Sequence, residues 1–159
     1  MNLYIIILLW ALLSLAVLAV SKKYSNGVSH KFQNFEEVDI PYVTMNIQGN
    51  PMNMIVDTGC GVSMLNLPSL KGCELMCKLT NKAISLSALT SDKVEARAMN
   101  VEFNVGKKKV SEDFFMQEHE DFGNFNRMYG VNIHGLLGSS FFSKNNCNID
   151  FKTHTLNVL

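Results

Sequence analysis

The stretch Met54-Ile55-Val56-Asp57-Thr58-Gly59-Cys60-Gly61-Val62-Ser63-Met64-Leu65 constrains this chain most. An apolar run enters a short polar turn that carries one carboxylate, and a second apolar run leaves it. Asp57 is the only acid between Asp39 and Glu74. A carboxylate between two strand-like runs is costly to bury unless it is hydrogen-bonded or shares a proton. Gly59 and Gly61 permit a tight turn, and the Thr58 hydroxyl can brace it. Such a turn holds the carboxylate rigidly, its oxygens aimed by backbone N–H groups. The plainer alternative is a strand–turn–strand with an incidental Asp, because Asp and Gly are common turn residues.

From Val38 onward the chain reads as short strands. Val38 to Ile47 is the first, with Pro41 near its start as at a sheet edge. Gly49-Asn50 makes a turn, and Met52 to Val56 returns. Val62 to Leu67 follows the Asp57 turn and stops at Pro68; Ser69 to Leu79 has room for a short helical turn. Ala83 to Leu89 and Lys93 to Ala98 form a hairpin pattern around Thr90-Ser91-Asp92. Met99 to Val105 and Lys109 to Met116 form another around Gly106-Lys107-Lys108. Glu118 to Val131 is polar and contains glycine, which reads as a loop. Ser139 to Lys144 reads as a short helix with a serine N-cap. Cys147 to Phe151 and Thr155 to Leu159 are closing strands. Many short strands, frequent turns and one short helix predict an all-β closed or sandwiched barrel.

Three segments carry a resemblance. Asp57-Thr58-Gly59 between apolar runs resembles the active-site loop of aspartic proteases. Pro41-Tyr42-Val43-Thr44-Met45-Asn46-Ile47 then Gly49-Asn50 resembles the strand and turn before that loop. His134-Gly135-Leu136-Leu137-Gly138-Ser139-Ser140-Phe141-Phe142, followed by Ile149-Asp150-Phe151, resembles the second half of a retropepsin-like lobe. In that family an apolar-apolar-Gly segment lies beside the catalytic loop and feeds a short helix. The resemblance covers about Val38 to Leu159. It implies a single retropepsin-like lobe in which Asp57 is catalytic and Thr58, Gly59 and Gly138 support the loop. It also places the flap at Ser87, Ala88, Leu89 and Thr90, on the first hairpin.

The family mechanism needs two carboxylates that share one proton, with a water between them. One acts as base on the water, and the other donates to the scissile carbonyl. This chain has one Asp-Thr-Gly and no room for a second lobe. The resemblance therefore implies a homodimer with one Asp57 from each copy, facing across a two-fold axis. It implies a polypeptide substrate, no metal and no cofactor. Cys60 stands where the family usually has Ala or Ser. Ser139 follows Leu137-Gly138 where retroviral enzymes carry an Arg, so the chain is nearer the cellular and bacterial branches. Ser87 to Asp92 contains neither the Gly of retroviral flaps nor the Tyr of pepsin flaps.

Upstream, Leu3 to Val20 is almost wholly apolar, and no charged side chain precedes Lys22. The run is about long enough to cross a bilayer as a helix. A retained anchor and a cleaved leader are both open readings. No Lys or Arg precedes the apolar core, as a leader normally requires, which favours the anchor. Lys22, Lys23 and Lys31 lie on the C-terminal side, which favours a cytoplasmic domain. The expected organisation is an anchor over residues 1–20, a polar tether over 21–37 and a domain over 38–159. The formal net charge is zero, so nothing points to nucleic acid.

The four cysteines, Cys60, Cys73, Cys77 and Cys147, permit two disulfides in an oxidising compartment. In a reducing one they read as buried or idle thiols, and Cys73-x-x-x-Cys77 is too isolated for a zinc signature. His134 reads as a turn or core residue satisfied by backbone. No His–acid partner can be named for Ser63 or Ser139 as nucleophiles. Three functional readings follow. The first is a membrane-anchored aspartic endopeptidase. The second is a catalytically silent retropepsin-like module that dimerises or binds peptides. The third is a tethered β-domain whose triplet is coincidental, with Asp57 exposed and far from Gly138.

Overall fold

The computed structural model describes residues 9–17, 27–87, 93–118 and 120–159. Helix α1 covers 9–17, and strand β1 is Val28–Lys31. Then come α2 (Phe35–Val38), β2 (Tyr42–Ile47), β3 (Asn50–Val56), β4 (Ser63–Asn66) and a 3-10 turn over Leu67–Leu70. The second half holds β5 (Cys77–Ser87), β6 (Lys93–Val105), β7 (Lys108–Gln117), α3 (Glu120–Tyr129) and β8 (Gly135–Leu137). It closes with α4 (Ser139–Lys144), β9 (Cys147–Asp150) and β10 (Thr155–Val158).

Seven strands form one sheet in the order β2-β3-β8-β4-β7-β6-β5. It is mostly antiparallel, but β3 pairs parallel with β8, and β4 parallel with β7. The sheet curls until β2 lies against β6. Gln48 fixes this curl: its amide donates to the carbonyls of Met76 and Glu102. The barrel is thus a half-barrel and not the closed one expected, since β2 and β5 remain unjoined edges. A second sheet, β1-β10-β9, packs beside it.

Alternation along the strands builds the interior. Val43, Met45 and Ile47 of β2 and Met52, Met54 and Val56 of β3 point inward with Val101, Phe103 and Phe114, while Thr44 and Asn46 face out. The β2–β3 turn is Gln48-Gly49, both at positive φ (54° and 86°), one residue earlier than the sequence suggested. That is the backbone of a tight hairpin whose twist matches its strands, and Gly49 adopts it without steric cost.

Two departures from the sequence reading have clear causes. Residues read as tether belong to the fold: β1 pairs with β10, and Phe32 is buried in the main core. Glu120–Tyr129 is a helix and not a loop. Its Asn and Gly content lowers helix propensity, yet Phe122 and Phe125 sit on one face, as the i, i+3 spacing requires. They pack against Val38, Tyr42, Ile133 and Leu136 in a second apolar cluster. Burying each such ring contributes about 2 kcal/mol, enough to override propensity. The fold accordingly contains more than one short helix.

Helix α1 exposes Leu9, Trp10, Leu12, Leu13, Leu15 and Val17. The expected span Leu3–Val20 lies partly outside the described residues, and among those described no helix is long and apolar enough to cross a membrane.

Candidate active site

Strands β3 and β4 are both hydrogen-bonded neighbours of β8, one on each side. The segment joining them, residues 57–62, must therefore cross the end of β8. Because β3 and β8 run parallel in the register Val56↔Leu137, they end together. Asp57 and Gly138 are each the next residue. This topology brings two segments about eighty positions apart in the sequence into one site.

Backbone hydrogen bonds lock the crossing. Asp57 N donates to the Leu137 carbonyl (3.0 Å), Ser139 N to that of Cys60 (2.8 Å) and Ser140 N to that of Gly61 (3.3 Å). Gly138 is buried where the loop passes over it. A Cβ there would lie 2.2 Å from the Val62 carbonyl oxygen and 2.9 Å from that of Cys60. The close approach requires glycine because backbone, and not a flexible side chain, occupies the space.

Asp57 is half-buried at this crossing. Its Oδ1 accepts from the backbone N–H of Gly59 (2.9 Å) and of Cys60 (3.2 Å). Two donors on one oxygen hold the carboxylate against rotation and leave Oδ2 outside this pair of bonds. Cys60 contributes through its backbone, so a thiol there changes nothing in the cradle. Thr58 and Gly59 are exposed on the outer surface of the loop. Among the described residues no second carboxylate is bonded to Asp57.

The hairpin read as the flap is formed by β5 and β6, paired out to Ser87↔Lys93. Ala88, Leu89 and Thr90 lie outside the described residues. His134 immediately precedes β8, and its ring is bonded to backbone: Nδ1 accepts from Asn53 N at 3.1 Å. Desolvation lowers its pKa, partly opposed by the Asn132 backbone. All four cysteines are free and half-buried. Burial pushes the Cys147 thiol up to about 11.

One group behind the loop escaped the sequence reading. Glu112 is 3% exposed, between inward-facing Val110 and Phe114 on β7. Its Oε1 accepts from Ser63 Oγ (2.9 Å) and Ser140 Oγ (3.3 Å), and Lys144 Nζ stands 3.8 Å from Oε2. Ser63 Oγ in turn accepts from Gly138 N (3.2 Å). The signal was present in the sequence: on a strand that alternates, Glu112 has the inward parity of Val110 and Phe114.

No protein-family model matches the chain, and no curated protein matches it. Among solved structures, a retropepsin-like aspartic protease from Rickettsia conorii is similar, at 14% sequence identity and a TM-score of 0.49, over 83% of this chain and 89% of that one.

Proposed function

We propose that this chain is an aspartic endopeptidase, active as a homodimer, in which Asp57 of each copy supplies half of one catalytic dyad. The observation that carries the reading is the seating of Asp57. A carboxylate is held by two backbone N–H groups of its own loop, on a crossing braced by the buried end of β8. The two N–H bonds alone are ordinary turn chemistry, which Asp150 repeats with Lys152 and Thr153. What distinguishes Asp57 is that its own N–H and the carbonyls of Cys60 and Gly61 are bonded to Leu137, Ser139 and Ser140. Thr58 and Gly59 are exposed beside it, which leaves the loop's outer face open to a second copy.

In the dimer the two carboxylates share a proton, because like charges in contact cannot both ionise. The ionised one takes a proton from water, and the protonated one donates to the peptide carbonyl. The substrate is an extended polypeptide paired with main chain, and the sequence segment Ser87 to Thr90 serves as its flap. Dilution tests the shared site. Activity per chain is expected to fall as the protein dissociates, and one pepstatin-type inhibitor should titrate two chains. Constant activity per chain among demonstrated monomers would defeat the dyad. A dimer that binds peptide without cleaving it would instead make the chain a silent peptide-binding module.

The same proposal places Leu3–Val20 in a membrane, with the domain on the cytoplasmic face. Its support is the apolar run and the exposed apolar side chains of α1. The full chain is expected to stay with the membrane pellet in alkaline carbonate; release into the supernatant would remove the anchor from the proposal. Tethering raises the effective concentration of one domain for another. The anchored form should therefore resist dilution better than a fragment lacking residues 1–20.

A further inference from the structure

Glu112 has no part in the dyad chemistry, yet it sits one hydroxyl away from the segment that braces Asp57. The path is short. Glu112 Oε1 accepts from Ser63 Oγ, whose oxygen accepts the Gly138 N–H. The preceding residue, Leu137, accepts the Asp57 N–H through its carbonyl. A second path runs through Ser140: its hydroxyl donates to Glu112 and its N–H to the Gly61 carbonyl. Both flanks of the Asp57 loop are thus tied to one buried carboxyl group.

We propose that Glu112 is a positioning residue: in its ionised form it orients the Ser63 and Ser140 hydroxyls and thereby holds the Asp57 loop against Gly138 in the competent geometry. This inference rests on the aspartic peptidase reading. A serine hydroxyl has one proton to give. While Glu112 only accepts, the Ser63 proton points to it and a lone pair remains for Gly138. A protonated Glu112 can donate instead, and the direction of the Ser63 hydroxyl is then no longer fixed.

The charged and titratable surroundings are few. Lys144 of α4 stands beside Oε2 and also donates to the Ser111 carbonyl. Asp113, the next residue of β7, is paired with Lys82 of β5 at 2.6 Å. Cys147 of β9, near enough to feel Glu112, stays a neutral thiol. Burial raises the Glu112 carboxyl above its ordinary value. The Ser63 hydroxyl, Lys144 and the Ser140 hydroxyl oppose the rise, and Asp113 adds to it. A cleft of about 480 Å³, lined by Val62, Lys82, Glu112, Asp113, Ser140 and Lys144, gives a proton access to the group.

The test uses the full chain, labelled with ¹⁵N-glycine, and the variants Glu112→Gln and Ser63→Ala. The first arm is independent of proteolysis. In an Asp57→Asn background, where Asp57 no longer titrates, the Gly138 amide resonance is expected to move with pH through a step above the ordinary glutamate range. The step should vanish in Glu112→Gln and in Ser63→Ala. A Gly138 resonance that does not move, or that moves identically in Glu112→Gln, overturns the proposal whether or not the chain cleaves peptides. The second arm is the pH profile of kcat with Asp57 intact. With its amide oxygen drawn to Lys144, the glutamine introduced by Glu112→Gln turns its NH2 donor toward the Ser63 and Ser140 hydroxyls. The substitution is therefore expected to lower kcat roughly ten- to a hundredfold at the pH where wild-type Glu112 is ionised. KM should change little, and the acid limb set by Glu112 should disappear. A wild-type profile in Glu112→Gln overturns the positioning role. Absence of cleavage in the wild type counts against the peptidase reading alone, because the Gly138 arm still decides whether Glu112 controls the loop.

Discussion

Asp57→Asn is expected to abolish peptide cleavage while the fold survives. The amide oxygen of Asn still accepts from the Gly59 and Cys60 N–H groups, so the cradle at 2.9 Å and 3.2 Å keeps its acceptor. The lost charge weakens those bonds by about 1 kcal/mol at most. Chemistry suffers far more, because an amide is neither a base for water nor an acid for the carbonyl. In the dimer both halves of the dyad are lost, and a fall of roughly 10³-fold or more follows. A mixed dimer with one wild-type chain should be nearly as inactive, since the remaining carboxylate has no partner with which to share a proton. Cleavage of a peptide by wild type, Asp57→Asn and the mixed dimer, alongside thermal unfolding of each, checks both halves. Full activity in Asp57→Asn would end the peptidase proposal.

Gly138→Ala should unfold the protein earlier by a wide margin. The added methyl meets the Val62 carbonyl oxygen at 2.2 Å and the Val62 carbonyl carbon at 2.4 Å. Both are backbone atoms in the crossing loop, so relief requires moving the loop away from β8. Overpacking of this kind costs about 3 kcal/mol. In a domain of this size that lowers the unfolding midpoint by roughly 6–12 °C. Gly61→Ala is the matched control: nothing lies within 4 Å of its added methyl. It should change stability by less than about 0.5 kcal/mol. The two midpoints, measured by calorimetry or circular dichroism, separate a close approach from a general intolerance of alanine in the loop. Equal midpoints would mean that the loop does not press on Gly138.

The sequence was most legible where local chemistry and topology agree. Asp57 between apolar runs marks a loop, and the resemblance sets Leu136-Leu137-Gly138 beside it. No local pattern marks that segment as strand β8, and none encodes the parallel β3–β8 pairing that joins the two. The hairpins were legible as pairs, but 93–98 and 99–105 read as two strands, because nothing local says that one strand runs through both. Helix α3 was illegible for a different reason. Asn124, Asn126 and Gly123 spoke for a loop, and only tertiary burial of Phe122 and Phe125 outweighs them. Strand β1 hid in a polar stretch, since Ser29 and Lys31 give no strand signal without β10 beside them. Glu112 is inconspicuous in the sequence, because a charge on a hairpin strand is ordinary, and its inward parity gains meaning only with Ser63 and Ser140 facing it.

The small sheet also governs when the domain can be finished. Val28 pairs with Val158, about 130 residues away along the chain, and β10 is the middle strand between β1 and β9. Leu156 and Val158 on that strand fill the main core beside Phe32 and Phe141. The core is therefore capped only after one of the longest loop closures the chain can make, and such closures are slow. Until then the inner face of the half-barrel stays uncovered, which exposes a nascent or partly unfolded chain to aggregation. The most distant contacts in the sequence set both the pace of folding and the period of greatest risk.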